Sequence, residues 1–243
     1  MKIFRFKTVS STQDAARKLI EKGVKEGVVV AETQTSGRGR ISRKWQSPKG
    51  GLWLSIILKP EVAPIYCLRL VLISALAVVN TIRKLSGLNT LIKWPNDVLI
   101  DGKKVCGILI ESETVNDSVK YVIVGIGINV NVKLKNLQPE VRVEATSLSE
   151  KLSREILVEE ILKHLLMEFK TFYKQFLKGE IGWIDEYRKA SCILGKNVCV
   201  SSEDGSTICG NAVNIDEYGR LMLKLDDETI KRFDYGEVTK VRI

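Results

Sequence analysis

The spacing of apolar residues divides the chain into strands and two strong helices, a middle run of strands, a second helical stretch and a closing series of short strands. Phe4-Arg5-Phe6 reads as a short opening strand. Ala15, Ala16, Leu19 and Ile20 form a helical stripe, with Ser10 and Ser11 as N-cap candidates and Gly23 as its stop. The apolar run 28–31 predicts a buried strand and 52–58 another. The 3.6-residue period over 68–85 predicts a long core helix that ends near Gly87.

Strands then follow closely. Residues 91–94 lead into a turn at Pro95; 98–100 and 105–110 are joined by Asp101-Gly102, a hairpin signal; and 121–130 is reached through Asn116-Asp117-Ser118. Short turns between neighbours imply antiparallel pairing, so the pattern predicts an α+β fold, a mixed and mainly antiparallel sheet with helices on one face. Residues 134–149 are polar and read as partly loop, 157–176 as an amphipathic helix built on Ile161, Leu162, Leu165, Leu166, Phe169 and Phe172, and 184–190 as one more helix. From Leu194 the texture changes. Five short runs alternate with turns such as Asp204-Gly205 and Tyr218-Gly219, which predicts a small β-barrel. The expected division is a domain over 1–190 and a smaller one over 191–243.

Bulk properties alter this picture little. With 243 residues, 44% hydrophobic and 28% charged, the chain has an ordinary globular composition. The apolar stretch 68–79 is interrupted by Arg69 and Ser74 and is too short to span a bilayer, and the N-terminus has no signal-peptide pattern. The expectation is a cytoplasmic protein with no membrane partner. The net charge of +9 fits a solvated lysine-rich surface; only the cluster Arg38, Arg40, Arg43 and Lys44 gives substance to an anionic partner. Abundant Lys, Ile and Glu with few Gln is a thermophile-like composition. The five cysteines form no Cys-x-x-Cys, and the single His164 does not complete a zinc set, so free buried thiols are the default. Cys199 and Cys209 flank Asp204-Gly205: a three-residue loop over 203–205 would set them opposite each other at disulfide range, a two-residue loop on opposite faces.

Four segments carry chemistry. Gly37-Arg38-Gly39-Arg40-Ile41-Ser42-Arg43-Lys44-Trp45 follows a buried strand. Its glycines admit an anion to the backbone and its arginines offer forks for phosphate or carboxylate. It matches neither a P-loop nor a dinucleotide fingerprint, and alone it is equally a solvated basic turn or a nucleic-acid tract. Lys93-Trp94-Pro95-Asn96-Asp97 packs a cation, an aromatic plate, a rigid turn and a carboxylate between two strands. Either Trp94 is core and the rest a polar turn, or Asp97 holds a magnesium ion or orients a lysine. Lys104, in Lys104-Val105-Cys106-Gly107-Ile108-Leu109-Ile110-Glu111, is a strand-edge lysine or a charge aimed at a phosphate. In Gly125-Ile126-Gly127-Ile128-Asn129-Val130-Asn131, glycines inside an apolar strand mark close approach of a ligand or backbone, and Asn129 and Asn131 share a face on which an amide could read an adenine edge.

In this order and spacing the four segments resemble the catalytic domain of biotin protein ligases, over roughly residues 4–190, with the C-terminal barrel also as in that family. The resemblance implies a class II synthetase-like catalytic fold followed by an SH3-like barrel. It implies that biotin and ATP form biotinyl-5′-adenylate, with Mg²⁺, and that biotin then passes to a lysine of a biotin carboxyl carrier protein. On the biotin side it implies Ser11, Thr12 and Gln34 as polar contacts to the ureido ring, Gly37 and the loop as a cover, and Trp53, Gly107 and Leu109 as walls. On the adenylate side it implies Arg38, Gly39, Arg40, Arg43, Asn96, Asn129 and, near the adenine, Trp45. Lys104 would contact the biotin carboxylate and the α-phosphate. Arg40, Lys104 and Asp97 are the expected catalytic set, Asp97 being also the metal candidate and the group that orients or deprotonates the acceptor lysine. The family loop carries a glycine where Ser42 stands here, which touches the loop's backbone and closing rate. The sequence begins at the catalytic domain, so a ligase without operator binding to DNA is expected. Family members often pair, so a homodimer is expected too. The rival readings are a lipoate ligase of the same superfamily and a nucleic-acid-binding module. Against the second, aromatics at 7% do not interleave with the basic clusters.

Overall fold

The computed structural model describes every residue except Ser42, Glu203, Asp204, Tyr235 and Ile243, and the backbone alone for 240–242. The expectation about Ser42 therefore lies outside the described residues, as does the loop through Glu203 and Asp204. The chain runs β1 (Ile3–Val9), α1 (Thr12–Glu21), β2 (Gly27–Gln34), β3 (Leu52–Leu58), α2 (Cys67–Ser86), β4 (Thr90–Lys93), β5 (Asp97–Ile100), β6 (Lys103–Val115) and β7 (Ser118–Ile128). Then come α3 (Pro139–Glu144), α4 (Leu148–Leu152), α5 (Val158–Leu177) and α6 (Trp183–Ala190). Strands β8 (Asn197–Ser201), β9 (Thr207–Ile215), β10 (Leu221–Lys224), β11 (Ile230–Phe233) and β12 (Glu237–Arg242) complete it.

The first seven strands form one sheet in the order β1-β2-β3-β7-β6-β5-β4, parallel only between β1 and β2, where α1 makes the crossover. Local chemistry fixes the joints. Ser11 caps α1 by accepting the Gln13 N–H, Gly87 ends α2 at φ 71°, and Asp101 and Gly102 sit at φ 49° and 75° in the hairpin between β5 and β6. All seven residues of β3 are buried because it lies mid-sheet under cover on both faces. One face, carrying Val28, Val30, Leu54, Ile56 and Val124, packs on α2, α5 and α6. The other carries Val29, Ile57 and Ile123, and there α1 covers one end with Ala16, Leu19 and Ile20. The long helices thus keep to one face; on the other, α1 covers one end, Val132, Leu137 and Ala145 pack on Trp53, and the open part between becomes the site. Helix α2 is long and apolar enough to cross a membrane by composition, but its buried residues Leu72, Ile73, Leu76 and Val79 are part of the core.

Residues 134–149 hold more helix than their polarity suggests: a 3₁₀ turn at Leu134–Asn136, then α3 and α4, the last capped by Ser147 on the Glu150 N–H. The five closing strands form an antiparallel sheet, β11-β10-β9-β8-β12, whose ladder does not close among the described residues. Its inner residues Val198, Val200, Ala212, Ile215, Leu221, Leu223 and Phe233 join the main core. Cys199 stands opposite Cys209, and the two are disulfide-bonded, which corrects the default of five free thiols; Cys67, Cys106 and Cys192 are free.

Candidate active site

Strand register builds the floor. Trp53, Gly127, Gly107, Asp97 and Lys93 are successive partners across β3, β7, β6, β5 and β4, and Ser55, Gly125 and Leu109 form the next row. The glycines make room for the protein's own side chains. A Cβ at Gly127 would lie 2.6 Å from Trp45 Nε1, one at Gly107 3.0 Å from the same ring, and one at Gly125 3.0 Å from Gln13 Nε2. The Trp45 indole therefore lies on the floor, edge-on to Trp53 at 6.3 Å between ring centres, with Lys104 Nζ 5.3 Å from its ring.

A cavity of about 600 Å³ opens over this floor. Ser11, Thr12, Gln34, Arg38, Gly39, Arg40, Arg43, Trp45, Asn96, Asp97, Lys104, Gly107, Leu109 and Asn129, all expected from the sequence, line it. Two expected residues do not: Gly37 and Trp53. At Gly37 a Cβ would strike the Trp45 carbonyl and Ser47 Oγ, so glycine there lets the loop fold on itself. Trp53 is fully buried behind Trp45, held by its Nε1 on the Pro48 carbonyl. Glu140, Val141 and Glu144 of α3, with Glu237, Val238 and Thr239 of β12, also line the cavity; nothing in their local sequence marks them, because the second sheet and α3 reach the site only through tertiary packing.

Lys104 reaches the cavity through a bulge. Val98 pairs with Cys106 and Leu99 with Lys104, so Val105 is skipped. Val105 and Cys106, adjacent in sequence, are both fully buried in the core, and Lys104 is turned to the face of Gly107. Its Nζ lies 2.6 Å from Asp97 Oδ1. The Val105 carbonyl accepts the Asn129 N–H at 2.8 Å, and Asn129 Nδ2 donates to the Thr146 carbonyl at 3.0 Å, which holds that amide at the cavity wall. Asn131, one alternation further, is spent on Ile156 and takes no part.

The turn between β4 and β5 splits its roles. Trp94 is core, donating to the Gly219 carbonyl; Asn96 donates to the Ile108 carbonyl and accepts from Arg40 Nη1 at 3.2 Å, and so fixes Arg40 beside Asp97 and Lys104. Arg38 is gripped by Asp14 at 2.7 Å and Glu111 at 3.0 Å. Burial works against its charge, but hydrogen bonds to the two carboxylates outweigh it and raise the guanidinium above its ordinary value. Arg43 pairs with Glu237 at 2.5 Å, joining the loop to the second sheet. Burial pushes the Cys106 thiol well up, which removes it as a nucleophile.

At the far end Thr12 N–H and Oγ1 both donate to Gln34 Oε1, at 2.7 and 3.1 Å, and form a part-buried polar corner. The site is therefore a trough with a neutral hydrogen-bonding end, a glycine floor and a cationic end. That suits a substrate with a polar head, an apolar waist and an anionic tail.

Comparison with known proteins agrees. Residues 5–129 match the biotin/lipoate A/B protein ligase family, and 193–241 match the biotin protein ligase C-terminal domain. The chain is 39% identical, over 95% of its length and 71% of the relative's, to the bifunctional ligase/repressor BirA of Bacillus subtilis. It is 31% identical, over 88% of its length and 79% of the relative's, to the biotin–[acetyl-CoA-carboxylase] ligase of Mycobacterium tuberculosis. The Aquifex aeolicus biotin protein ligase, solved in complex with biotin and ATP, superposes with a TM-score of 0.83 at 31% identity, covering 99% of this chain and 98% of that one. This chain belongs to the biotin/lipoate A/B protein ligase family.

Proposed function

We propose that this protein is a biotin protein ligase: it activates biotin with ATP as biotinyl-5′-adenylate and transfers it to a lysine of a biotin carboxyl carrier domain. The observation that carries this reading is one trough with the Thr12–Gln34 corner at one end and Lys104, Asp97 and Arg40 at the other. The C-terminal domain match, specific to biotin ligases, favours biotin over lipoate. We keep the division into a catalytic domain over 1–190 and a small domain over 191–243.

In this reading the biotin carboxylate attacks the α-phosphate and pyrophosphate leaves. Negative charge grows on the phosphate, and Lys104 and Arg40, preset by Asp97 and Asn96, offset it without reorganising. Holding both reactants in one trough supplies proximity. Trp45 and the loop through Gly39 and Arg43 exclude water from the mixed anhydride. Asn129, held at the cavity wall beside Lys104 by its bonds to Val105 and Thr146, serves the adenine. In the second step the acceptor amine attacks the acyl carbon, the C–O bond of the mixed anhydride breaks and AMP leaves, and Asp97 takes or orients the proton that the amine loses.

Mg²⁺ is proposed as the companion of the nucleotide phosphates only. Asp97 is already paired with Lys104, and the described residues hold no cluster of three acidic, histidine or cysteine side chains, so the donor set does not fit a resident metal. A docking edge for the carrier, or for a second copy, is also available. The β5 partner ends at Gly107, which leaves Leu109–Val115 of β6 unpaired on its outer side among the described residues. ATP and a carrier protein as substrates favour a cytoplasmic location. The test is ATP–pyrophosphate exchange with biotin and lipoate in parallel: exchange with biotin alone supports the reading, and exchange with lipoate alone replaces it.

A further inference from the structure

Behind the Thr12–Gln34 corner stand two buried hydroxyls that do not line the cavity, Ser47 and Ser55. Ser55 Oγ donates to Thr12 Oγ1 at 2.8 Å, and Thr12 Oγ1 donates to Gln34 Oε1 at 3.1 Å. Gln34 Nε2 donates to Ser47 Oγ at 2.7 Å, and Ser47 Oγ donates to the Trp45 carbonyl at 3.3 Å. The direction of this chain is forced. The Thr12 backbone N–H, 2.7 Å from the Gln34 side chain, requires an acceptor, so Oε1 faces Thr12 and Nε2 faces Ser47. Each hydroxyl then spends its one hydrogen within the chain, Ser55 on Thr12, Thr12 on Gln34 and Ser47 on a carbonyl.

What remains for a ligand follows by subtraction. Thr12 Oγ1 keeps one acceptor lone pair, and Gln34 Nε2 keeps one N–H. An acceptor beside a donor complements an N–H beside a C=O, the edge of a cyclic urea or lactam. A ring bearing only sulfur and methylene groups would leave both unpaired, at a cost in binding. We propose that Ser47 and Ser55 are positioning residues that lock the donor–acceptor polarity of this corner and so select a urea-type head group. The inference rests on the biotin reading above and adds two residues to it.

The test compares biotin with 2-iminobiotin, in which the urea carbonyl becomes an imino group, as substrates for pyrophosphate exchange. In Ser47→Ala the Gln34 amide loses one anchor. We expect the KM for biotin to rise about tenfold, one hydrogen bond's worth, with kcat and the KM for ATP within twofold. The preference for biotin over the imino analogue should fall by a similar factor. Ser55→Ala should act in the same direction, and Ser47→Thr, which keeps the hydroxyl, should restore most of the preference. Thermal melting of each variant confirms that it is folded. An unchanged KM for biotin in folded Ser47→Ala and Ser55→Ala overturns the proposal. Equal losses for both substrates also overturn it, because they mean a merely structural role. Absence of biotin-dependent exchange in the unaltered protein would instead remove the function on which the inference rests.

Discussion

Lys104 Nζ and Asp97 Oδ1 lie 2.6 Å apart across neighbouring strands only because β6 carries a bulge at Val105. Without that extra residue, strict alternation would turn Lys104 into the core, where an ammonium costs several kcal/mol. The bulge is therefore the device that delivers the cation to the trough. Replacing Lys104 by Ala should leave the fold intact and lower kcat/KM for biotin-dependent exchange by about 10²–10³, the usual effect of removing one preset charge from a developing anion. Exchange kinetics with a parallel melting curve check this.

Gly127 and Trp45 make a second test. A methyl group at position 127 would stand 2.6 Å from the indole nitrogen, so Gly127→Ala must push Trp45 off the floor. Overpacking of this kind costs about 1–3 kcal/mol. Denaturant titration should register the loss, and tryptophan emission should shift as Trp45 gains contact with water. Unaltered stability and emission would mean that the loop moves freely.

The grip of Asp14 and Glu111 on Arg38 holds the loop over the trough before any ligand arrives. Glu111→Gln removes one charge from this grip. A partly exposed pair is worth up to about 1 kcal/mol, so tryptic cleavage within 37–45 should accelerate about fivefold. An unchanged cleavage rate would show that the loop is held by its packing alone.

The cysteines give a count and a pH sign. Under denaturing conditions three thiols should react before reduction and five after, because Cys199 and Cys209 are bonded. In the folded protein Cys106 should resist alkylation, since burial holds its thiol far above the ordinary range. Only the unfolded chain ionises that thiol at moderately alkaline pH. Its contribution to stability is therefore whole below the ordinary thiol value and declines as pH rises above it. Cys106→Ala, although less stable throughout, should show a flatter alkaline limb in urea titrations.

Much of this was legible in the sequence, for physical reasons that can be named. The 3.6-residue stripe of α2, the Asp-Gly hairpin and the glycine pair in β7 are local signals, and each fixed an element or a face. Residues 134–149 were not legible, because α3 and α4, at six and five residues, are too short to show a 3.6-residue apolar period. The bulge was written in Val105-Cys106, two adjacent core residues inside an alternating strand, although a strand-edge lysine explained Lys104 equally well. The clasp on Arg38 joins residues 14, 38 and 111. The Arg43–Glu237 pair joins residues almost two hundred positions apart, and no local pattern announces such contacts. Serines 47 and 55 belong to no motif in the sequence, and their part depends on hydrogen bonds to Gln34 and Thr12 that only the folded chain brings together.

The most direct measurement is a two-stage reaction with α-labelled ATP. The protein is first mixed with biotin and labelled ATP, and the bound nucleotide is identified. An unmodified biotin carboxyl carrier domain is then added and its mass followed. The account predicts about one equivalent of biotinyl-5′-adenylate per protein, followed by its disappearance as a single lysine of the carrier gains one biotinyl group. Failure to form the adenylate with biotin while lipoate forms one would contradict it, as would an adenylate that never reaches the carrier.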